Sequence, residues 1–269
     1  MSSFESRLES INLKLQRARA HLQAIVNINS GYQRVDCRME LKKDSEKGVS
    51  YFVVKLPDPP KDISTIVGDC LHNQRSSLDY LVWLMVESNP PNKPDRRNMF
   101  PICTSRTAYQ SQLKAGRLQG IPEPAKDLID GLQPYDDPGH SLALLSKLYN
   151  ADKHRHLNYT VSVASDIEVV YYRDGHPVFQ TFVGNDEIVN GEIFGGIGFP
   201  IAFVENLGDV QVHGRAAAFL AFEGVKTLSG NTLSVADSLG DIQDLIEGLI
   251  FESFSSFIID HSGDSEGSE

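Results

Sequence analysis

The sequence has 269 residues, of which 41% are hydrophobic and 23% are charged, a balance typical of a globular protein rather than a disordered chain. The formal net charge of −11 counts against a non-specific nucleic-acid binder, because neutralising phosphates requires a surplus of lysine and arginine. The three cysteines are widely spaced and contain no CxxC pair, which excludes a disulfide framework and a cysteine zinc site. With no secretory signal and no apolar run of about 18 residues, we predict a cytoplasmic protein without a membrane span.

In chain order, the pattern first predicts an amphipathic helix, because apolar residues recur at spacings of three and four between Leu8 and Ile25. Two alternating segments then predict a β-hairpin, and Pro57–Pro60 breaks the chain before a second long helix. Two short helices, a third long helix, a β-rich stretch and a last helix follow. The predicted helices span 4–29, 61–88, 107–114, 122–132, 141–157 and 233–259, the hairpin strands 33–42 and 48–56, and the later strands 159–164, 167–173, 177–183, 192–199 and 210–223.

This order predicts an α+β fold, in which a bundle of about four long helices carries an N-terminal β-hairpin and an antiparallel sheet inserted before the last helix. We expect one domain over residues 1–260, made of the helical bundle (4–157 and 233–259) and the β-rich insertion (158–226). The tail 261–269 is rich in glycine, serine and acidic residues and is expected to be disordered. The amphipathic first helix would suit a homodimer interface.

Polar side chains lie beside the apolar face of the second predicted helix. His72, Arg75 and Asp79 are three and four residues apart, so they share one face of that helix. This face adjoins the core-facing stripe instead of lying opposite it. A charge run that only solubilises a helix would lie on the far side.

The third long helix places charges on its core-facing side. Measured from Leu148 at the centre of the apolar face, Asp152 lies about 40° away and Arg155 about 20° away. An unpaired charge there would cost several kcal/mol, so we expect Arg75 to pair with Asp152 and Asp79 with Arg155. Two interpretations stay open: a closed ion-pair network that fixes helix register, or a polar pocket that binds or cleaves a ligand.

Four short motifs carry a resemblance to known proteins. They are His-Asn-Gln-Arg-Ser-Ser-Leu-Asp at 72–79, Phe-Pro-Ile at 100–102, Leu-Gln-Pro-Tyr at 132–135 and Asn-Ala-Asp-Lys-His-Arg at 150–155. Together they look like those of a widespread group of uncharacterised bacterial proteins. More distantly, the Asn/Arg cluster on a helix is similar to the HEPN superfamily (higher eukaryotes and prokaryotes nucleotide-binding), many of whose members are metal-independent ribonucleases or ribonuclease-derived toxins, usually dimers.

The HEPN resemblance implies roles for individual residues. The family motif places an arginine four to six residues before a histidine, and Arg75 matches the arginine, but the residue five positions later is Tyr80. The resemblance therefore implies either lost activity or a site completed by His154 or His156, with the arginine on the scissile phosphate of RNA and the histidine handling the 2′-hydroxyl proton. The implied catalytic residues are Arg75, His154, His156 and Asp79, and the implied binding residues are His72, Asn73, Asn150, Asp152, Lys153 and Arg155.

Three functions remain open on the sequence. The first is an HEPN-like ribonuclease or a catalytically degraded relative, with RNA as partner. The second is a non-catalytic interaction module, in which the charges form a structural network and the sheet at 159–223 carries the interface. The third is a metal-dependent enzyme with His and Asp ligands, against which the loose ligand spacing and the nearby Arg75 and Arg155 count. We predict no metal site and no cofactor.

Overall fold

The computed structural model describes residues 3–32, 38–44, 49–55, 59–154, 159–173, 176–183, 189–190, 197–202, 210–226 and 232–258. The chain divides into two compact units. One unit is formed by residues 1–24, 64–157 and 237–269, and the other by residues 25–63 and 158–236.

The described chain contains six α-helices in the predicted order. They are α1 (Ser3–Tyr32), α2 (Ile63–Glu87), α3 (Arg106–Lys114), α4 (Glu123–Gly131), α5 (Ser141–His154) and α6 (Val235–Gly248). A π-helical turn, Leu249–Ser253, and a 3₁₀ turn, Ser255–Phe257, follow α6. Local signals account for the short helices: the Ser105 side chain caps α3 by accepting the Ala108 amide, and α4 begins directly after Pro122.

The first unit buries the apolar stripes of its helices around a core that also contains polar side chains. Leu15 and Ala18 of α1 are buried, and so is Gln74 of α2. The Gln74 amide donates to the Leu239 carbonyl of α6 at 2.9 Å, and the Cys70 thiol donates to the Ala18 carbonyl at 3.5 Å. Because buried polar groups need hydrogen-bond partners, these contacts fix where α1, α2 and α6 meet.

The second unit contains two antiparallel sheets. Their strands are β1 (Arg38–Asp44), β2 (Val49–Lys55), β3 (Tyr159–Arg173), β4 (His176–Val183), β5 (Val189–Asn190), β6 (Ile197–Ala202), β7 (Val210–Lys226) and β8 (Thr232–Ser234). One sheet has the order β1-β2-β6-β5 and the other the order β4-β3-β7-β8. The Asn29 side chain of α1 accepts the Leu220 amide of β7 at 2.7 Å and so joins the end of the helix to the sheet.

The α+β class predicted from the sequence is confirmed, and the single domain over residues 1–260 stays a prediction. β2 pairs with β6, so that Val49 lies opposite Ala202. This pairing draws the early strands into the same unit as the predicted β-rich insertion. The predicted helix residues 155–157, residues 174–175 between two of the predicted strands, and the tail 261–269 lie outside the described residues. No helix of the described chain has the length and apolar character needed to cross a membrane.

Candidate functional site

The site is built on an irregular segment, residues 98–103, which we call the floor segment. It follows α2 and contains Pro101, so it cannot satisfy its backbone groups in a helix or a sheet ladder. Side chains do so instead. The Trp83 indole donates to the Asn98 carbonyl at 3.2 Å, and the buried Gln133 amide donates to the Pro101 carbonyl at 3.0 Å and accepts the Cys103 amide at 2.8 Å.

Arg75 and Asp79 of α2 hold the middle of the floor segment. The Asp79 carboxylate accepts the Phe100 amide at 2.9 Å, and Arg75 Nη2 donates to the Phe100 carbonyl at 2.5 Å. The two side chains also form an ion pair at 3.0 Å and are only 12% and 23% exposed, respectively. The pair thus forms hydrogen bonds with both the backbone amide and the backbone carbonyl of Phe100. We call it the Arg75–Asp79 clamp.

The expected pairing of Arg75 with Asp152 is wrong, because helix spacing offers Arg75 a closer partner. Asp79 lies one turn along the same helix, where side chains four residues apart meet. Asp152 instead lies against Gly68, two turns earlier on α2. A Cβ atom added at Gly68 would come within 2.9 Å of both Asp152 carboxylate oxygens. Glycine therefore makes room for this carboxylate, and the expected partner of Asp79, Arg155, lies outside the described residues.

A pocket of about 220 Å³ opens above the floor segment. Phe100 and Pro101 are the buried residues of its lining, and its most exposed side chains are Asn150 and Lys153 of α5. The pocket therefore opens to solvent along the last turns of α5. The lining residues are Arg75, Met99, Phe100, Pro101, Ile102, Gln112, Arg117, Ser146, Tyr149, Asn150 and Lys153.

Three cationic side chains line this pocket, and each comes from a different part of the chain. Arg75 is held by its clamp. Arg117 follows α3 and is oriented by Gln112, whose side-chain oxygen accepts its Nε at 3.1 Å. Lys153 Nζ lies 4.3 Å from the centre of the Tyr149 ring, which is close enough for a cation–π contact. Among the described residues, neither Arg117 nor Lys153 forms an ion pair.

The electrostatics of the pocket reach the clamp carboxylate. Burial raises the pKa of the Asp79 carboxyl above its ordinary value. The Arg75 charge acts in the opposite direction, and so do the charges of Arg117 and Lys153. One partly buried carboxylate thus faces three cations, and the described lining itself contains no acidic side chain.

The predicted site residues separate into three groups. Arg75, Asn150 and Lys153 line the pocket, and Asp79 lies beside it through the clamp. His72, Asn73 and Asp152 are not among the lining residues. The His72 ring lies 6.3 Å from the Tyr149 ring, the Asn73 amide donates to the Asp69 carbonyl of its own helix, and Asp152 lies against Gly68. The side chain of His154 and all of Arg155 and His156 lie outside the described residues.

Sequence reasoning missed Arg117 and Tyr149. Arg117 lies between the predicted short helices 107–114 and 122–132, where no periodicity indicates which way a side chain points. Tyr149 belongs to the predicted third helix, but nothing in the local pattern separates it from a surface tyrosine. The Phe-Pro-Ile motif is one of the four that carry the resemblance. Its position in the lining of a pocket follows only from the long-range hydrogen bonds of the structure.

Within the described residues, no group of three His, Cys, Asp or Glu side chains comes together in a way that could hold a metal ion. The pocket instead places the positive charges of Arg75, Arg117 and Lys153 beside the backbone of the floor segment. No protein-family model matches this chain, and no curated protein or solved structure matches it either.

Proposed function

We propose that this protein binds a small anionic group in the pocket lined by Arg75, Arg117 and Lys153. The observation that carries the proposal is the concentration of three cations in about 220 Å³, on a chain whose net charge is −11. Like charges held close together repel one another, and a bound anion would relieve that repulsion. Because the surface as a whole is acidic, binding depends on this local cluster.

Contacts within the protein orient the three cationic side chains even when no ligand is bound. Gln112 and Tyr149 hold Arg117 and Lys153 in place without neutralising them. In Arg75, Nη2 contacts the Phe100 carbonyl and the Asp79 carboxylate. Nη1 is buried and has no hydrogen-bond partner within the described residues. The guanidinium therefore has unused hydrogen-bonding capacity. Groups oriented in advance lose little entropy on binding.

Two lysines of α5 provide a matched test of anion binding. Lys153 lines the pocket, whereas Lys147 lies on the same helix, is also exposed, and is not among the lining residues. We expect inorganic phosphate to raise the melting temperature of the wild type and of Lys147→Ala at constant ionic strength, since a ligand of the native state stabilises it. We expect Lys153→Ala to lose at least about tenfold in phosphate affinity, as charge-assisted contacts are among the strong ones. Equal affinities in the two variants would contradict the proposal.

A catalytic version of the same proposal is an HEPN-like ribonuclease. One observation favours it: Arg75, Asn150 and Lys153, which belong to two of the motifs that carry the resemblance, line one pocket. The anion would then be an RNA phosphate. Cleavage needs a proton-transferring group, and no histidine is among the described lining residues, so this version depends on His154 or His156. We also propose that the protein forms a homodimer and is cytoplasmic. In the same proposal, a bundle of about four helices surrounds the pocket.

The ribonuclease version is tested with a mixed pool of structured and single-stranded RNA in EDTA. If it holds, the wild type cleaves RNA in EDTA, and Arg117→Gln loses most of that activity because the pocket then binds the phosphate less strongly. Lys147→Ala, which is outside the pocket, should cleave like the wild type. Anion binding without cleavage would leave the pocket as a binding site of a non-catalytic protein.

A further inference from the structure

We propose that the anion is the terminal phosphate of a phosphomonoester, not a phosphodiester inside a chain. This inference rests on the proposed function and names the chemistry of its ligand. It is drawn from the charge of the pocket, from the number of cations that line it and from its volume.

The charge of the site matches a dianion. Arg75, Arg117 and Lys153 face one carboxylate, that of Asp79, so two positive charges are left over. A phosphomonoester carries a charge of about −1.5 to −2 at pH 7. A phosphodiester and a carboxylate each carry a single negative charge, so either would leave one cation of the pocket uncompensated.

The number of cations matches the number of free oxygens in a monoester. Arg75 approaches from α2, Arg117 from the chain after α3, and Lys153 from α5. A terminal phosphate offers three oxygens free of ester bonds, one for each cation. A diester offers two, and a planar carboxylate also offers two.

The size of the pocket limits how much of a ligand can enter. Phe100 of the lining is fully buried, and the exposed side chains of the lining, Asn150 and Lys153, lie on one helix. A chain-internal phosphate carries two ester arms, whereas a monoester carries one. The volume of about 220 Å³ is below the roughly 300–1,000 Å³ of pockets that enclose drug-sized molecules, so only the phosphate end of the ligand enters.

The side chains beside the opening indicate that the substituent on the phosphate is polar. Ser146 and Asn150 lie one turn apart on α5 beside the opening, and both can form hydrogen bonds with hydroxyl groups. A sugar hydroxyl meets that requirement, and so does the ribose at the 5′ end of a nucleic acid. The shared chemistry is therefore a phosphate monoester of a polyol, free or at the end of a chain.

Calorimetric titration of the full chain at pH 7.5 and constant ionic strength tests the inference with four probes. Ribose 5-phosphate should bind at least about tenfold more tightly than dimethyl phosphate, because one charge and one oxygen contact separate them. A 5′-phosphorylated RNA oligonucleotide should likewise bind more tightly than the same oligonucleotide with a 5′-hydroxyl. Lys153→Ala and Arg117→Gln should reduce both preferences, and Lys147→Ala should keep them.

The outcomes separate this inference from the proposed function. If the sugar phosphate binds as tightly as the phosphorylated oligonucleotide, the ligand is a free monoester; if the oligonucleotide binds at least about tenfold more tightly, it is a nucleic-acid end, and both results support the inference. Dimethyl phosphate binding as tightly as the monoester would overturn the inference and leave an anion pocket in place. Failure of every probe to bind would overturn both.

Discussion

Arg75→Ala is expected to lower the free energy of unfolding by about 3–4 kcal/mol, the range typical of breaking a buried ion pair from one side. The substitution leaves the Asp79 carboxylate, 23% exposed, without its cation and the Phe100 carbonyl without its donor. For a chain of this size the loss corresponds to a fall of roughly 6–16 °C in melting temperature. Urea denaturation followed by circular dichroism measures it directly.

The pH dependence of this loss identifies its cause. Burial already raises the pKa of Asp79, and removing Arg75 raises that pKa further. A carboxyl whose folded-state pKa lies above its unfolded-state pKa favours the folded state more strongly as pH falls through the folded-state value. The difference between wild type and Arg75→Ala should therefore shrink as the pH is lowered from neutral through the raised pKa of Asp79. A difference that stays constant with pH would assign the loss to packing alone.

An exposed ion pair serves as the control. Arg97 and Asp95 form hydrogen bonds and a salt bridge outside the clamp. Their side chains are 54% and 45% exposed, so solvent screens the interaction. Arg97→Ala should unfold close to the wild type. An equal loss in Arg75→Ala and Arg97→Ala would contradict the structural role of the clamp.

Gln133→Ala is expected to cost about 2–4 kcal/mol, because one buried amide serves three backbone groups. Its Oε1 accepts the Cys103 amide, and its Nε2 donates to the Pro101 and Ile129 carbonyls, both at 3.0 Å. Gln133 is only 7% exposed, so water cannot replace these bonds without entering the core. Denaturant unfolding gives the value.

Two further variants separate the contributions to the Gln133 effect. Gln133→Met keeps a side chain of similar length and removes the hydrogen bonds, so it should retain most of the loss. Gln119→Ala removes an exposed glutamine from the nearby chain and should change stability by less than about 0.5 kcal/mol. If Gln133→Met were as stable as the wild type, the three bonds would contribute little. Because Pro101 lines the pocket, Gln133→Ala should also weaken phosphate binding.

The helices could be predicted because their signal is local. The second and third long helices were predicted to begin at 61 and 141, and the structure has them begin at Ile63 and Ser141. Repeating apolar spacings and proline breaks are enough for that. The same local reasoning placed Arg75 and Lys153 in the candidate site.

The features that sequence reasoning could not reach depend on contacts between distant residues. The spacing of α2 allowed Arg75 to meet Asp79, yet choosing between Asp79 and Asp152 requires the crossing of α2 and α5, which only the packed structure gives. Arg117 lies beside the floor segment, because the Met99 amide donates to the Arg117 carbonyl at 3.2 Å across 18 residues of chain. The pairing of β2 with β6 is a contact of the same kind.

The ring of Phe100 also packs against a second aromatic ring. Phe254, which follows the π-helical turn, packs edge-on against it with ring centres 6.5 Å apart and ring planes at 89°. A residue that contributes nothing to the lining thus supports the floor of the pocket from behind. A chain shortened before Phe254 would lose this contact and would therefore be a poor reagent for ligand screening.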